Sequence, residues 1–458
     1  MFSDKDLIKN INLYSKLNRV PFHTPMHLGR TDYPNDLSEL SGLDNLQYPS
    51  STLKNTEEYL SEIFSAKKSF LLTNGASIGL QAAILALKFY YLQSNLALKP
   101  LLVARNVHKS VLSGIILAGF DVEWLELNYD HNLDLYTGLK LSVAELKDFL
   151  SKREDAYAGL VLTNPSYDGF YSDLSLLKSL TLPLIIDEAH GTHYYFSGDL
   201  PQGALKTAGD IVIHSLHKTL GALTQSAVAH ISLHSKIPAS CYEAALRLLQ
   251  TTSPSYLILK SILESVQYYA QEAKELYLRV KAFQEKISTN CLTANNDDYF
   301  RIVIQNARAE ELEVFLERRN IFIEKKSSKS ITIFLSPYHN EQDIDLLNGA
   351  LTEFQGTTHK HASSRQRRTN DRSALPPELD FFSFPDQVIN PQLAYFSPFR
   401  ELPYQESLGE ICAELFAPCP PGFPLLVPGQ KINSSIIDKL GICNDFLRYK
   451  RGIIRVVE

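Results

Sequence analysis

The chain is poor in the residues that would indicate a disulfide-rich, metal-binding or membrane-spanning protein. Its 458 residues include five cysteines, two methionines and one tryptophan. The cysteines are odd in number, lie far apart and form no C-x-x-C pair, so we expect neither a disulfide framework nor a metal site. No run of about 18 uninterrupted apolar residues occurs, and residues 1–10 alternate charged and apolar side chains. These absences predict no membrane span and no signal peptide, and a reducing cytoplasm is the simplest location.

The chain also lacks a strong excess of one charge. The net charge is -6 and the pI is near 6.1, which gives no general attraction to nucleic acid. A short basic cluster at Arg365, Arg367 and Arg368 is interpreted as solvated rather than as a nucleic-acid patch. With 44% hydrophobic residues, the chain is long enough for two or three packed units. A small-molecule substrate is the expected partner.

From Ser69 onward, short apolar runs alternate with helix-length amphipathic segments. This pattern predicts an α/β fold with a mostly parallel sheet flanked by helices. The seven predicted strands are Ser69–Thr73, Leu101–Arg105, Val122–Leu127, Gly159–Thr163, Leu184–Asp187, Ile211–Ser215 and Ala227–Ser232.

A long helix from about Tyr256 to Glu285 leads to a smaller α/β unit. We expect its strands at Phe300–Gln305 and Ser330–Leu335 and its helices near Ala309–Arg318 and Asp343–Phe354. The polar segment Gly356–Pro377 is expected to be an exposed linker, whereas the apolar, proline-rich segment Pro418–Pro428 is expected to run against the body of the protein. The predicted units are an N-terminal segment (1–55), a large cofactor-binding domain (56–270), a small domain (271–356), a linker (357–383) and a C-terminal domain (384–458).

Two charged residues stand at the ends of predicted strands. Asp187 ends Leu184–Asp187, and Lys218 follows Ile211–Ser215. Taken singly, Asp187 could cap a helix and Lys218 could face solvent. Together they match the needs of pyridoxal phosphate, because a lysine amine holds this cofactor and a carboxylate keeps its pyridine nitrogen protonated. We therefore predict that Lys218 carries pyridoxal phosphate as an internal aldimine and that Asp187 supports the ring.

Two further strand ends contribute candidate cofactor contacts. Thr73–Ser77 opens a helix, where Gly75 permits a tight turn and Ser77 can donate to phosphate, although such a junction is also typical of an ordinary capped helix. His108 follows the second strand and could lie flat on the cofactor ring, although a histidine there is more often structural.

In order along the chain, the motifs resemble the bacterial ornithine/lysine/arginine decarboxylases, which have the aspartate-aminotransferase fold (fold type I of the pyridoxal-phosphate enzymes). The resemblance covers roughly residues 20–290 and 385–440. The matching blocks are Thr24–Gly29 (TPMHLG), Asn74–Ser77 (NGAS), Arg105–Ser110 (RNVHKS), Asn164–Gly169 (NPSYDG), Asp187–His193 (DEAHGTH), Ser215–Gln225 (SLHKTLGALTQ), Leu249–Tyr256 (LQTTSPSY) and Pro420–Gly429 (PPGFPLLVPG).

The resemblance implies a role for each matched residue. Lys218 would bind the cofactor covalently, Asp187 would hold the pyridine nitrogen, and His108 and Ala189 would pack on the two ring faces. His190 would reach the ring hydroxyl. The phosphate would lie at Gly75, Ala76, Ser77, Ser215 and His217. Thr252 and Ser253 would reach the cofactor of a neighbouring subunit, which implies a homodimer or a higher homo-oligomer.

Two positions depart from the family pattern. Met26 replaces a glycine in the TPGH block, which would reshape the substrate pocket. Ala76 replaces a hydroxyl residue, which removes one phosphate hydrogen bond worth about 1 kcal/mol or somewhat more. The chain starts directly at the catalytic region, so it resembles the short form of the family, without an N-terminal wing domain.

The implied reaction is decarboxylation of arginine, lysine or ornithine to agmatine or a diamine, with a biosynthetic, polyamine-related role. Lys218 or His217 would return the proton to the alpha carbon. Rival interpretations are another enzyme of the same fold, such as an aminotransferase or a carbon–sulfur lyase, and a non-catalytic homologue. An aminotransferase would use a small-domain arginine for the alpha carboxylate, and Arg301 and Arg318 are present without a matching motif.

Overall fold

The computed structural model describes residues 5–28, 32–153, 155–288, 291–356, 385–418, 422–443, 447 and 450–458. The predicted linker at 357–383, its basic cluster and Cys419 therefore lie outside the described residues. The four other cysteines are free.

A seven-stranded sheet forms the centre of the large unit and confirms the α/β prediction. All seven predicted strands are present, with ends displaced by no more than two residues. They are β1 (Lys68–Leu72), β2 (Leu101–Ala104), β3 (Val122–Leu125), β6 (Gly159–Thr163), β7 (Leu184–Asp187), β8 (Ile211–Ser215) and β9 (Ala227–Ile231). The order is β1-β9-β8-β7-β6-β2-β3. The neighbouring pairs β3–β2, β2–β6, β6–β7 and β7–β8 are parallel, whereas β9 is antiparallel to both β8 and β1. A hairpin of β4 (Leu127–Asp130) and β5 (Leu135–Leu139) was not predicted.

Helices cover the sheet. They are α2 (Thr52–Phe64), α3 (Gly75–Gln93), α4 (Lys109–Ala118), α5 (Val143–Ser151) and α6 (Ala239–Leu249). The first helix, α1 (Leu7–Lys16), packs on α2 and on the helix Tyr256–Ser288. By length and hydropathy α3 could cross a membrane. In this fold it packs on the sheet and against α4 and α6, and Ile84 and Leu87 on it are fully buried. Its apolar composition is therefore that of a core helix.

The smaller unit follows the long helix α7 (Tyr256–Ser288). Its elements are β10 (Arg301–Gln305), α8 (Ala309–Glu317), β11 (Lys325–Lys326), β12 (Ser330–Phe334) and α9 (Glu341–Gly356). The strands are antiparallel in the order β10-β12-β11, and the predicted strands and helices are confirmed. The proposed domain boundary at residue 270 lies within α7, so this helix belongs to both units. The division into domains stays a prediction.

The C-terminal part contains α10 (Pro391–Phe396), β13 (Phe399–Pro403), α11 (Ser434–Ile442) and β14 (Ile453–Val457), with β13 and β14 paired antiparallel. Gln392 on α10 donates to the carbonyl of Ile116 on α4 at 2.8 Å. Val427, in the proline-rich segment, is fully buried in the core cluster beneath α3. The described part of this segment therefore packs against the large unit, as expected.

A buried acid lies directly after β7. Glu188 accepts hydrogen bonds from the hydroxyl of Tyr195 and from the backbone N–H of Ala204, each at 2.8 Å, and His214 Nε2 lies 2.8 Å from its carboxyl group. Burial raises the pKa of Glu188 to about 8 and lowers the pKa of His214 to about 3. Both groups are therefore neutral near pH 7, which avoids placing a charge inside the core.

This buried acid makes stability depend on pH. In the folded chain Glu188 keeps its proton up to about pH 8, whereas in the unfolded chain it ionises above its ordinary pKa of 4.5. Unfolding in that window releases a proton from Glu188, so this group makes the apparent free energy of unfolding fall as pH rises, by up to about 1.4 kcal/mol per pH unit. His214, whose pKa returns to 6.5 on unfolding, acts in the opposite direction below about pH 6.5. The variant Glu188→Gln should reduce this slope. Urea unfolding between about pH 5.5 and 7.5 measures it, and an unchanged slope would contradict the assignment. Burial also raises the pKa of Glu57 to about 8. The variant Glu57→Gln is therefore an independent test of the same effect.

The close contact between α3 and the sheet depends on Gly79. A side chain begun there would lie 2.7 Å from Leu72 Cδ1 and 3.1 Å from Ile213 Cγ2, whereas Gly349 on α9 has no atom within 4 Å of the same position. Gly79→Val should therefore lower the free energy of unfolding by about 1–3 kcal/mol through overpacking. The matched variant Gly349→Val should change it by less than about 0.5 kcal/mol. Denaturant unfolding compares them, and equal effects would disprove this packing argument.

Candidate active site

Three parallel strands bring their carboxyl ends to one edge of the large sheet. Thr163 pairs with Asp187 and Asp187 with Ile213, so β6 and β7 end at the same level and β8 continues two residues further, to Ser215. Ile185 and Ile213 belong to the core cluster beneath α3. Asp187 follows Ile185 by two residues, and Ser215 follows Ile213 by two residues. Because side chains alternate along a strand, Asp187 and Ser215 face the same side of the sheet as these isoleucines. Polar groups thus gather where α3 begins.

Lys218 lies on a 3-10 turn, Leu216–Lys218, that directly follows β8. Its Nζ is 3.1 Å from His190 Nε2. Its carbonyl oxygen accepts a hydrogen bond from Arg301 Nη2 at 3.2 Å. Arg301 of the small unit therefore holds the backbone of Lys218, and His190 of the large unit lies next to its amine.

Asp187 is 3% exposed at the end of β7. Burial raises the pKa of Asp187, while Lys218 and the backbone N–H of Ala189, which donates to Oδ1 at 3.1 Å, act to lower it. Ala189 is itself buried beside this carboxyl group. A buried carboxylate of this kind is stabilised by a cationic donor.

His190 is fully enclosed between Lys218 and an aromatic wall. Burial, followed by the charge of Lys218, lowers the pKa of His190 well below its ordinary value. When Lys218 donates to Nε2, the one proton of the neutral ring lies on Nδ1. Nδ1 is buried and has no hydrogen-bond partner among the described residues. An acceptor atom of a bound ligand would satisfy it.

His108 caps the start of α4. The backbone N–H of Ser110 donates to His108 Nδ1 at 3.2 Å, so the ring proton lies on Nε2. Burial, with the charges of Lys218 and Lys109, lowers the pKa of His108 to about 4. Gly422 of the C-terminal part lies against the ring, since a Cβ there would be 2.9 Å from His108 Cδ2. The imidazole is therefore neutral and packed along its edge.

The proposed phosphate residues surround the start of α3. Gly75 has φ 74°, and its N–H donates to the carbonyl of Gln225 at 3.0 Å. No atom lies within 4 Å of the space that a side chain on Gly75 would enter. Ser77 is exposed and Ala76 is half-buried, and the first-turn N–H groups of any helix lack intrahelical acceptors. This helix end is thus open to an anion.

His217 lies on the other side of the lysine turn. Its Nδ1 is 3.1 Å from Ser215 Oγ, and burial lowers the pKa of His217. Ser215 is buried at the end of β8. The two side chains are therefore coupled to each other at the strand end from which Lys218 extends.

Thr252 and Ser253 are the site residues that one chain does not bring to this cluster. Both are exposed on the loop between α6 and α7, where the N–H of Ser253 donates to Thr251 Oγ1 at 3.2 Å. No hydrogen bond within the described residues joins Thr252 or Ser253 to Lys218. Met26, which departs from the family pattern, is 80% exposed.

Sequence reasoning missed the wall contributed by the loop after β6. Tyr167 lies 4.6 Å from the His190 ring, between centroids. Asp168 is buried, forms an ion pair with Lys325 Nζ at 2.6 Å and accepts from Thr332 Oγ1 at 2.6 Å. These residues lie in the Asn164–Gly169 block, which was noted as a family motif without a role for its members. The presence of this block in the sequence was the signal that could have pointed to the wall.

The residues at this edge fit pyridoxal phosphate. Asp187 offers a buried carboxylate for the pyridine nitrogen, and the open start of α3 offers N–H groups for the phosphate. Among the buried side-chain polar atoms that have no hydrogen-bond partner within the described ranges are His190 Nδ1, Thr73 Oγ1, Thr163 Oγ1 and Thr219 Oγ1. Buried polar groups are normally paired, so such a cluster indicates a missing ligand.

Comparisons with known proteins agree with this chemistry. The family model for the major domain of Orn/Lys/Arg decarboxylases matches residues 26–307. The protein YaaO of Bacillus subtilis, described as uncharacterized, is 28% identical, over 99% of this chain and 97% of its own length. A protein of Halalkalibacterium halodurans named arginine decarboxylase is 28% identical, over 94% of this chain and 91% of its own.

The structure resembles the lysine decarboxylase LdcF of Francisella novicida, with a TM-score of 0.80 and 20% identity, covering 99% of this chain and 81% of that one. At this identity the likeness shows the fold alone. The family match covers more than half of the chain. The chain belongs to the Orn/Lys/Arg decarboxylase family of pyridoxal-phosphate-dependent enzymes and is an amino-acid decarboxylase.

Proposed function

We propose that the chain decarboxylates arginine to agmatine, in the cytoplasm and as part of polyamine biosynthesis. The observation that carries the proposal is the convergence of Lys218 and Asp187 at one sheet edge, with His190 Nε2 3.1 Å from the lysine amine. Arginine is favoured over lysine and ornithine because the relative from Halalkalibacterium halodurans, similar over nearly its whole length, is named arginine decarboxylase. Lysine and ornithine are the other basic substrates to be tested.

Each residue of the site receives a role in this proposal. Lys218 binds the cofactor covalently, and Asp187 holds a proton on the pyridine nitrogen. His108 and Ala189 pack against the ring. His190 donates from Nδ1 to an oxygen of the bound group. The phosphate is held by Gly75, Ala76, Ser77, Ser215 and His217.

The cofactor supplies an electron-withdrawing ring, which stabilises the charge left on the alpha carbon when carbon dioxide departs. The chain must then return a proton. Lys218, whose amine becomes free when the amine of the substrate takes its place, is our candidate donor, because its Nζ is adjacent to His190 whereas His217 Nδ1 is directed to Ser215 Oγ. Burial of Asp187 and His190 keeps water from competing for this proton.

We infer a homodimer from the two residues that do not reach the cluster within one chain. Thr252 and Ser253 are exposed on the surface loop before α7, where they are available to a neighbouring subunit. The proposal is that they contact the cofactor of that subunit. The N-terminal segment, with Phe22 and Met26 highly exposed, would be covered at the same interface.

An aminotransferase would need an arginine for the alpha carboxylate, and Arg301 is not available for it. Its Nη1 donates to the carbonyl of Phe300 at 3.3 Å, its Nη2 donates to Lys218, and the guanidinium lies 3.8 Å from the Phe334 ring centroid. Arg318 is exposed at the end of α8. Both observations favour decarboxylation over transamination.

The proposal predicts the properties of Lys218→Ala. Purified protein incubated with pyridoxal phosphate should show a visible absorption band, and it should release labelled carbon dioxide from arginine faster than from lysine or ornithine. Lys218→Ala should lose the band and at least about a hundredfold in rate. Lys178→Ala, which changes an exposed lysine on the surface, is the matched control and should behave like the wild type. A wild-type protein without the band, or with no release from the three amino acids, would refute the proposal.

A further inference from the structure

Tyr167 forms one wall of the space around the reactive lysine. Its ring centroid is 5.9 Å from Lys218 Nζ, 4.6 Å from the His190 ring and 5.7 Å from the Phe334 ring. The loop that carries it is fixed by Asn164, which exchanges two hydrogen bonds of 2.9 Å with Ser172. A substrate attached at the position of the lysine amine would lie beside this ring.

Most acids near this wall already have partners. Asp168 pairs with Lys325 and accepts from Thr332. Glu188 is bonded to Tyr195, and Asp187 faces the cofactor edge. These carboxyl groups are also buried, so they have no free oxygen to offer an entering cation.

Glu324 differs from them. It lies just before β11, where its backbone N–H donates to the carbonyl of Thr332 at 3.2 Å. Its Oε1 accepts a hydrogen bond from the hydroxyl of Tyr167. The side chain is exposed, and none of the lysine, arginine or histidine side chains in the described ranges forms an ion pair with it. The tyrosine therefore holds one oxygen of Glu324 at the outer end of the wall and leaves the other accessible.

Glu324 adds a carboxylate that no described cation pairs with. Lys325, whose Nζ lies 5.3 Å from the Tyr167 ring centroid, is already paired with Asp168. We propose that Glu324 is the specificity-determining residue that receives the distal cation of the substrate side chain, with Tyr167 as its positioning residue. This inference rests on the proposed function and assigns the substrate class of the same site: an amino acid with a guanidinium or ammonium group at the far end.

The chemistry supports a preference for guanidinium. An ammonium is a compact point charge that remains strongly hydrated, whereas a guanidinium is planar and pairs with carboxylates through several N–H groups. A guanidinium also interacts favourably with an aromatic ring. The Tyr167 ring next to the carboxylate already lies near cations, with Lys325 Nζ 5.3 Å and Lys218 Nζ 5.9 Å from its centroid. The pair therefore suits arginine better than lysine or ornithine.

The kinetic test compares Glu324→Gln with Glu317→Gln in the full-length protein loaded with pyridoxal phosphate. Glu317 is an exposed glutamate of the same small unit, at the end of α8. Glu324→Gln should raise KM for arginine at least about tenfold while kcat changes less than about threefold, because only substrate binding is weakened. Its preference for arginine over citrulline, a neutral isostere, should fall by a similar factor. Glu317→Gln should match the wild type, and equal KM values in the two variants would overturn the inference.

A binding measurement separates this inference from the proposed function. Agmatine, which carries the guanidinium but no carboxylate, should bind the wild type in titration calorimetry and bind Glu324→Gln at least about tenfold more weakly. If the wild type releases no carbon dioxide but this difference is found, the proposed reaction fails and the cation site stands. If agmatine does not bind the wild type, or binds both proteins equally, the cation site is wrong.

Tyr167→Phe tests the positioning role of Tyr167. It also provides a second test of the inference in case Glu324→Gln does not fold. It keeps the ring and removes only the hydroxyl that orients Glu324. KM for arginine should rise by a smaller factor than in Glu324→Gln, and Tyr167→Phe combined with Glu324→Gln should add little further, since both act on one interaction. Additive effects of the two changes would show that the hydroxyl does not act through Glu324.

Discussion

The parallel pairing of β7 with β6 and β8 fixes the direction in which Asp187 points. Along β7, Ile185 faces the cluster beneath α3, whereas Leu184 and Ile186 face the opposite cluster. A shift of the strand pairing by one residue would turn Asp187 to the opposite face of the sheet. It would also move the apolar side chains of β7 to the wrong core clusters. The apolar packing on both faces of the sheet therefore also maintains the carboxylate at the edge where Lys218 and α3 meet.

The small unit completes the surroundings of the lysine. Arg301 holds the carbonyl of Lys218, and Lys325 pairs with Asp168 on the loop after β6. Removing one member of such a buried pair typically costs about 3–5 kcal/mol, because the other charge is left without a partner. The relative position of the two units around the Lys218 amine is thus held by specific charged contacts as well as by α7.

The fold was largely predictable because buried parallel strands appear as short apolar runs, and Asp187 and Lys218 stand directly after two of them. The hairpin β4–β5 escaped prediction because each of its strands has only one buried residue and therefore no buried apolar run. Contacts between distant segments, such as Tyr167 with Glu324 and Arg301 with Lys218, leave no local pattern in the sequence. The roles given to Thr252 and Ser253 involve a second chain, so one chain places them on the surface without a partner at the site.

The contact between Gly422 and the His108 ring ties the site to the order of protein synthesis. The strands and the lysine turn leave the ribosome before the segment that covers the edge of this imidazole. The N–H of Lys109 also bonds the carbonyl of Gly422 at 3.1 Å, so the start of α4 gains a backbone partner only then. A nascent chain can therefore form the central sheet before the segment around Gly422 gives the His108 side of the pocket its final shape.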